Sequence, residues 1–122
     1  MSARSSVGYS QGSTRSRSGV AAYVVSRVAI SDVEQMRRYL AEVPSIVAEF
    51  GGRYLVRGSA VQALEGTWDH DRMVVVEFPD TEAALTWYHS ERYRPLRELR
   101  QASAEAVILL ADGIPPVPTG QS

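Results

Sequence analysis

The chain has 122 residues, 44% of them apolar, and 13 basic residues against 14 acidic ones. That length suits one domain with a real core. Three of the 13 basic residues, Arg4, Arg15 and Arg17, precede Gly19, so the remainder carries 10 against 14 acids, which argues against the clustered positive face of a nucleic-acid binder.

Cysteine is absent, so thiol nucleophiles, disulfides and thiolate metal sites are excluded. Every basic residue is Arg, so no lysine can form a Schiff base. The remaining polar groups are two His, six Tyr, Ser, Arg and carboxylates. No apolar run approaches the roughly 18 residues of a membrane span. The N-terminal stretch lacks the apolar core of a secretory signal. The expected location is the cytoplasm, with neither a membrane nor a nucleic acid as partner.

Residues 1–19 are mostly Ser, Gly and Arg and read as a flexible tail, or as an arm laid over a partner. Residues 21–29 (AAYVVSRVA) are short and β-branched, a strand. Ser31 or Asp32 can cap a helix over 33–50. There Val33, Met36, Leu40, Val43, Val47 and Phe50 recur at helical spacing. Pro44 interrupts that pattern, and Gly51-Gly52 ends it with a left-handed cap. Residues 53–57 (RYLVR) form the second strand, resuming at 62–64, with a turn from Gly66 to Asp71. Residues 73–78 (MVVVEF) are apolar without alternation, as in a central strand buried on both faces. Asp80 caps a helix over 81–88. The helix breaks near His89-Ser90, and Pro95 starts a second segment through Ser103. Residues 106–111 (AVILLA) are the last strand. Residues 114–122 hold three prolines and read as an extended tail.

The order is βαβ–βαβ, so residues 20–113 are expected to form one α+β domain of the ferredoxin-like βαββαβ type. It has a four-stranded antiparallel sheet with two helices on one face. The other face keeps apolar residues and needs a cover. A second copy is the simplest cover, giving a homodimer.

The run Phe50-Gly51-Gly52-Arg53-Tyr54-Leu55-Val56-Arg57-Gly58 resembles the signature of the uncharacterised-domain family numbered 1330. So do Leu64-Glu65-Gly66-x-Trp68 and the run from Arg72 to Pro79. Ala84-x-x-Trp87-Tyr88-x-Ser90-x-x-Tyr93, with Leu96 and Arg100 after it, is also similar to that family. The resemblance spans residues 21–113, and Pro95 departs from it. It implies the dimeric α/β barrel group, which includes cofactor-free monooxygenases, haem-degrading enzymes, lactone isomerases and ligand-sensing modules. A fold and a pocket between sheet and helices follow from it, but no reaction does.

Among candidate residues, Gly51-Gly52 lacks phosphate-loop spacing and is a helix cap. Arg57, Glu65 and Arg72 flank strand ends. They can hold a substrate anion, or pair as structural ions. Glu77, inside an apolar strand, needs a partner such as Arg100 or is a carboxylate with a raised pKa. Trp87, Tyr88, His89, Ser90 and Tyr93 cluster where one helix ends and the next begins. Imidazole, hydroxyl and phenol groups there can supply acid, base and oxyanion donor. The plainer reading makes Trp87 and Tyr88 core aromatics and Ser90 an N-cap. His89, Tyr93 and Glu65 are thus the candidate catalytic residues. Arg57, Arg72, Trp87, Ser90 and Tyr39 are the candidate substrate contacts. His89 and Tyr93, four residues apart, share a face if a helical turn joins them. His70, between Asp69 and Asp71, lacks metal spacing and reads as a solvated turn.

Three functional readings stand. The first is an enzyme using metal-free acid–base chemistry, with no cofactor, on a carbonyl or aromatic metabolite, by isomerisation, cyclisation, hydrolysis or cofactor-free oxygenation. The second is a non-catalytic small-molecule binding or protective module. The third is a haem-dependent oxygenase with His89 as iron ligand.

Overall fold

The computed structural model describes residues 20–115. The tail read at 1–19 lies outside the described residues, as does the second tail from 116 onward. In chain order the elements are β1 (Ala22–Ile30), α1 (Val33–Glu49), β2 (Arg53–Gly58), β3 (Arg72–Phe78), α2 (Thr81–Tyr88), α3 (Arg94–Ser103) and β4 (Ala104–Asp112). The sheet order is β2-β3-β1-β4, and each neighbouring pair is antiparallel. This is the ferredoxin-like arrangement that the strand and helix order implied.

Alternation on β1 explains why the sheet has one buried face. Ala22, Val24, Ser26 and Val28 are buried, and the residues between them are not. They face the helices together with Val76 and Phe78 of β3. Each neighbour along a strand points to the opposite side. Tyr23, Val25, Val75 and Leu109 therefore lie on the outer face, where Val25 is opposite both Val75 and Leu109.

Asp32 starts α1 by accepting from the Gln35 N–H at 3.1 Å. Met36, Val43, Ile46 and Val47 are its buried stripe. Pro44 lies within the helix without ending it. Termination comes at Gly51, whose φ of 87° is the left-handed conformation that glycine adopts without penalty. The Gly51 and Gly52 N–H groups then donate to the Ala48 and Val47 carbonyls at 3.0 and 2.9 Å.

The second helical arm is two helices, divided where the sequence predicts its break, so the inner face carries three helical segments in all. Asp80 caps α2 through the Ala83 N–H at 2.8 Å. The break follows from Ser90. Its Oγ donates to the Trp87 carbonyl at 2.8 Å and accepts from the Tyr93 N–H at 3.1 Å. Those two bonds turn the chain before Pro95 begins α3.

Residues 62–64, expected to resume β2, are irregular. They belong to the connection at 59–71. Asp71 anchors its end by accepting from the Ile30 N–H at 2.6 Å and donating its own N–H to the Val28 carbonyl at 2.9 Å.

Two glycines separate close packing from open space. A Cβ on Gly52 would stand 2.6 Å from Val47 and 2.8 Å from Phe78, both fully enclosed. Gly52→Ala should cost about 1–3 kcal/mol by overpacking. A Cβ on Gly58 would meet nothing within 4 Å. Gly58→Ala should change stability by no more than about 0.5 kcal/mol. Urea unfolding of both variants checks the contrast; equal losses would contradict it.

Candidate functional site

Between the inner sheet face and the helices lies a cavity, lined by β1, β2, β3, β4 and all three helices. About 50 Å³ of it is open to the centre of a water molecule. One water needs roughly 10–15 Å³ on that measure, so it has room for a few waters. Most of the wall is apolar. The polar exceptions are Ser26, three arginines (Arg57, Arg72, Arg100) and three tyrosines (Tyr39, Tyr54, Tyr93).

The tyrosines meet in the middle. The Tyr39 and Tyr93 hydroxyls are 2.6 Å apart, and their rings pack edge to face. Tyr93 is wholly buried, with its ring 4.3 Å from that of Trp87. Two hydroxyls sharing one hydrogen bond leave one O–H proton over. Among the described residues no side-chain acceptor takes it. Burial pushes the Tyr39 phenol well above its ordinary pKa, and the adjacent Tyr93 adds to the shift. Burial also raises Tyr54, against the pull of the Arg57 charge. The phenols of Tyr39 and Tyr54 are therefore proton donors at neutral pH.

Arg100 projects from α3 and is 5% exposed. Its burial disfavours the charge. The neighbouring Tyr93, Tyr39 and Tyr88 groups outweigh that effect and hold its pKa above the ordinary value. Its Nε and Nη2 have no hydrogen-bond partner, and neither does Arg72 Nε or Trp87 Nε1. Among the described residues no carboxylate or imidazole lines the cavity.

Arg57 arrives by an irregularity. The β2–β3 register runs Tyr54↔Val76 and then Val56↔Val75, so Leu55 is an extra residue. A regular strand would aim residues 54 and 57 at opposite faces. The bulge brings both to the inner face. The Arg57 guanidinium stands 5.1 Å from the centre of the Tyr54 ring. Its Nη2 donates to the Leu40 carbonyl at 3.0 Å. Leu40 is the i−4 partner of Pro44, which has no N–H to give it. The proline frees the acceptor that holds Arg57 at the rim.

Of the sequence candidates, Tyr39, Arg57, Arg72, Trp87 and Tyr93 come together around this cavity. His89, Ser90 and Glu65 do not. His89 is the exposed C-cap of α2 and borders a separate hollow with Leu85, Leu109 and Leu110. No helical turn joins it to Tyr93, because Ser90 bends the chain between them, so the two do not share a face. Ser90 Oγ is committed to the two capping bonds above. Glu65 is exposed on the 59–71 connection.

Glu77 takes an arginine partner, as one alternative expected, but that partner is Arg53 and not Arg100, and its pKa is not raised. It lies on the outer face, where Arg53 Nε donates to it at 2.8 Å and the Tyr23 hydroxyl at 3.0 Å. Those bonds lower its pKa, the Arg53 bond most. His70 is not a solvated turn residue. Its side chain is 21% exposed and its ring packs 5.3 Å from that of Trp68. Its Nδ1 lies 2.9 Å from Asp69 but is misaligned for a hydrogen bond. Among the described residues no three His, Asp or Glu side chains gather as metal ligands. Nor is any helix there long and apolar enough to cross a membrane.

Tyr54 and Arg100 complete the site and were not among the candidate contacts. A signal for Arg100 exists: Tyr93, Leu96, Arg100 and Ser103 recur at helical spacing, and all four are buried. No comparable signal marks the bulge.

The raised phenols have a stability consequence. Tyr39 holds its proton more tightly folded than unfolded. Its contribution is fully present below pH ~10, the unfolded value, and is lost as pH rises through the folded value. Tyr39→Phe should therefore retain more of its stability between about pH 10 and 12 than the parent does. Thermal melts across that range test this; parallel losses in both proteins would contradict it.

A family model described as a domain of unknown function, DUF1330, matches residues 21–114. No curated protein matches the chain. Among solved structures, a protein of unknown function from Rhodopseudomonas palustris is similar with a TM-score of 0.67 at 18% identity, over 82% of this chain and 86% of that one. SnoaB, a cofactor-independent oxygenase from Streptomyces nogalater, has a TM-score of 0.55 at 13% identity, over 80% of this chain and 97% of that one. A hypothetical Arabidopsis thaliana protein gives 0.55 at 13% identity, over 84% and 93%. Identities this low show a shared fold alone. The family match covers the whole folded region, and the chain belongs to the DUF1330 family, on a ferredoxin-like framework.

Proposed function

We propose that the cavity binds a small carbonyl or phenolic metabolite and stabilises negative charge on its oxygen, as a metal-free enzyme of proton chemistry. The observation that carries this reading is the Tyr39–Tyr93 hydroxyl pair, with one O–H proton to give, beside the buried Arg100 charge. Donors fixed before the reaction, in a site shielded from water, favour an oxyanion as it forms. An enolate or phenolate is such an oxyanion. Keto–enol isomerisation, aldol-type cyclisation and cofactor-free oxygenation pass through one, and hydrolysis passes through a tetrahedral oxyanion that the same donors would hold. SnoaB, described as a cofactor-independent oxygenase, shares the fold and adds support for the last.

A binding module is the second reading. It is favoured by the lack of a carboxylate or imidazole on the cavity wall. With no resident base, the substrate proton must pass to solvent or to a basic atom of the substrate itself.

The acidity of a bound probe tests the proposal. Binding p-nitrophenol, which absorbs visible light when ionised, reports its own pKa in the site. Cationic and hydroxyl donors should lower that pKa by about one unit or more. Arg100→Met should reverse most of the shift, and His89→Gln none of it. A bound pKa equal to or above the free value would contradict the reading.

The partner in this proposal is a second copy of the chain. Val25, Val75 and Leu109 form a row across the outer sheet face, and Leu109 is 57% exposed. Val107 and Val56, both exposed, extend that apolar surface. Covering it with the same surface of a second chain gives a closed two-fold dimer. Light scattering at micromolar concentration should give twice the 13.4 kDa chain mass. A stable monomer would refute it.

A further inference from the structure

We infer that the ligand carries a carboxylate, and that Arg100 grips it with both nitrogens of one guanidinium edge. This rests on the reading of the cavity as a small-molecule site and names the class of molecule it takes.

The argument starts from which nitrogens are unpaired. Among the described residues Arg100 Nε and Nη2 lack partners, and neighbouring atoms cover them, so a ligand reaches them by displacing part of the lining. These two atoms form one side of the planar guanidinium fork, and their N–H bonds run parallel. Two parallel donors match the two oxygens of a carboxylate. A ketone or alcohol offers one oxygen and leaves the second donor empty.

Charge points the same way. Arg100 is 5% exposed, and it forms no ion pair among the described residues. Arg57 and Arg72 share the cavity wall with it, and no acid does. A guanidinium cannot shed its proton to escape burial. The described residues supply no counter-charge, and a monoanionic ligand would.

The walls set the rest of the shape. Trp87 and Tyr93 present flat rings, and Val24, Val28 and Val43 close the other sides. The two rings lie 4.3 Å apart and make one aromatic wall, against which a flat, compact body can lie. With the carboxylate on Arg100, the Tyr39–Tyr93 pair is left to donate to a second oxygen of the same molecule. A planar hydroxy- or oxo-carboxylate has this pattern.

Calorimetric titration of the full chain with benzoate, salicylate and benzamide is the test. Benzamide keeps the ring and one carbonyl oxygen but has neither the charge nor the second acceptor. Both carboxylates should bind at least about tenfold more tightly than benzamide, the size of effect expected for a charged hydrogen-bonded pair. Arg100→Met should abolish that preference, and Arg100→Lys, which keeps charge without the fork, should restore only part of it. Arg100→Met should not lower the melting temperature of the ligand-free protein, since it removes a buried charge that has no counter-ion. A lower melting temperature would assign Arg100 a structural role and count against the inference. Should neither variant fold, the benzoate complex of the parent protein decides. Both carboxylate oxygens must lie on Arg100 Nε and Nη2, and a carboxylate bound elsewhere overturns the inference. Equal binding of benzoate and benzamide also overturns it. If p-nitrophenol still binds with a lowered pKa, the oxyanion reading survives that loss. If none of the four probes binds, both fall.

Discussion

A guanidinium held inside the protein, with no carboxylate beside it among the described residues, is the constraint around which the candidate site is arranged. Taking such a charge from water costs several kcal/mol unless something answers it. The side chain cannot escape by swinging out, because α3 is fixed at both ends. At one end Tyr93 is wholly buried against Trp87. At the other, the Ser103 carbonyl accepts from the Ser31 and Asp32 N–H groups at 2.9 and 3.0 Å. Ser103 Oγ closes that turn by donating to Leu99 at 2.7 Å. Between these anchors, residue 100 falls on the buried stripe. An apolar residue there would pack the sheet more simply. The arginine instead gives the interior a fixed positive pole and a row of unmet donors.

Two local departures from regular structure complete the same surface. The extra residue at Leu55 turns Arg57 toward the cavity beside Tyr54. Pro44 leaves the Leu40 carbonyl without its helical donor, and Arg57 takes that place. Each would be a defect in isolation, since a bulge interrupts a ladder and a proline removes a helical bond. Together they tie β2 to α1 across the cavity mouth. The link joins two elements that otherwise meet through the sheet and the Gly51-Gly52 cap. A rim built this way holds a cation in place without burying it.

The framework was legible because local signals agreed with each other. Asp32 and Asp80 cap the helices they precede, Gly51 ends α1, and the alternation on β1 marks the inner face. The site was legible only in part. Tyr39, Arg57, Arg72, Trp87 and Tyr93 could be chosen by residue type and position. His89 looked suitable because its ordinary pKa lies near neutrality. That property says nothing about direction, and two hydrogen bonds of Ser90 were enough to send His89 and Tyr93 to different sides. Glu77 misled for a similar reason. An acid in an apolar strand reads as buried, yet on β3 its position aims it at the outer face, where Arg53 and Tyr23 meet it. The bulge at Leu55 leaves no trace in composition or spacing, because it is defined by the register with β3.

Chemistry in such a cavity is limited by what its wall can accept. Its lining offers N–H and O–H donors, and its only side-chain oxygen acceptors among the described residues are the neutral hydroxyls of Ser26, Tyr39, Tyr54 and Tyr93. The deprotonated form of Tyr39 is disfavoured by burial, so that phenol is no base near neutral pH. A bound acid therefore loses its proton because the conjugate base is held, not because a side chain removes the proton. On the proposed reading, such a site would lower a barrier by stabilising the product of ionisation, which suits molecules that are already weak acids, such as enols and phenols. It suits poorly a substrate whose proton needs a strong base within reach. The separation of His89 from the cavity follows the same logic. Val24, Trp87 and Ile108 border both the donor-lined interior and the hollow where the imidazole stands. A proton leaving the interior must go around those side chains or through solvent at the Arg57 rim.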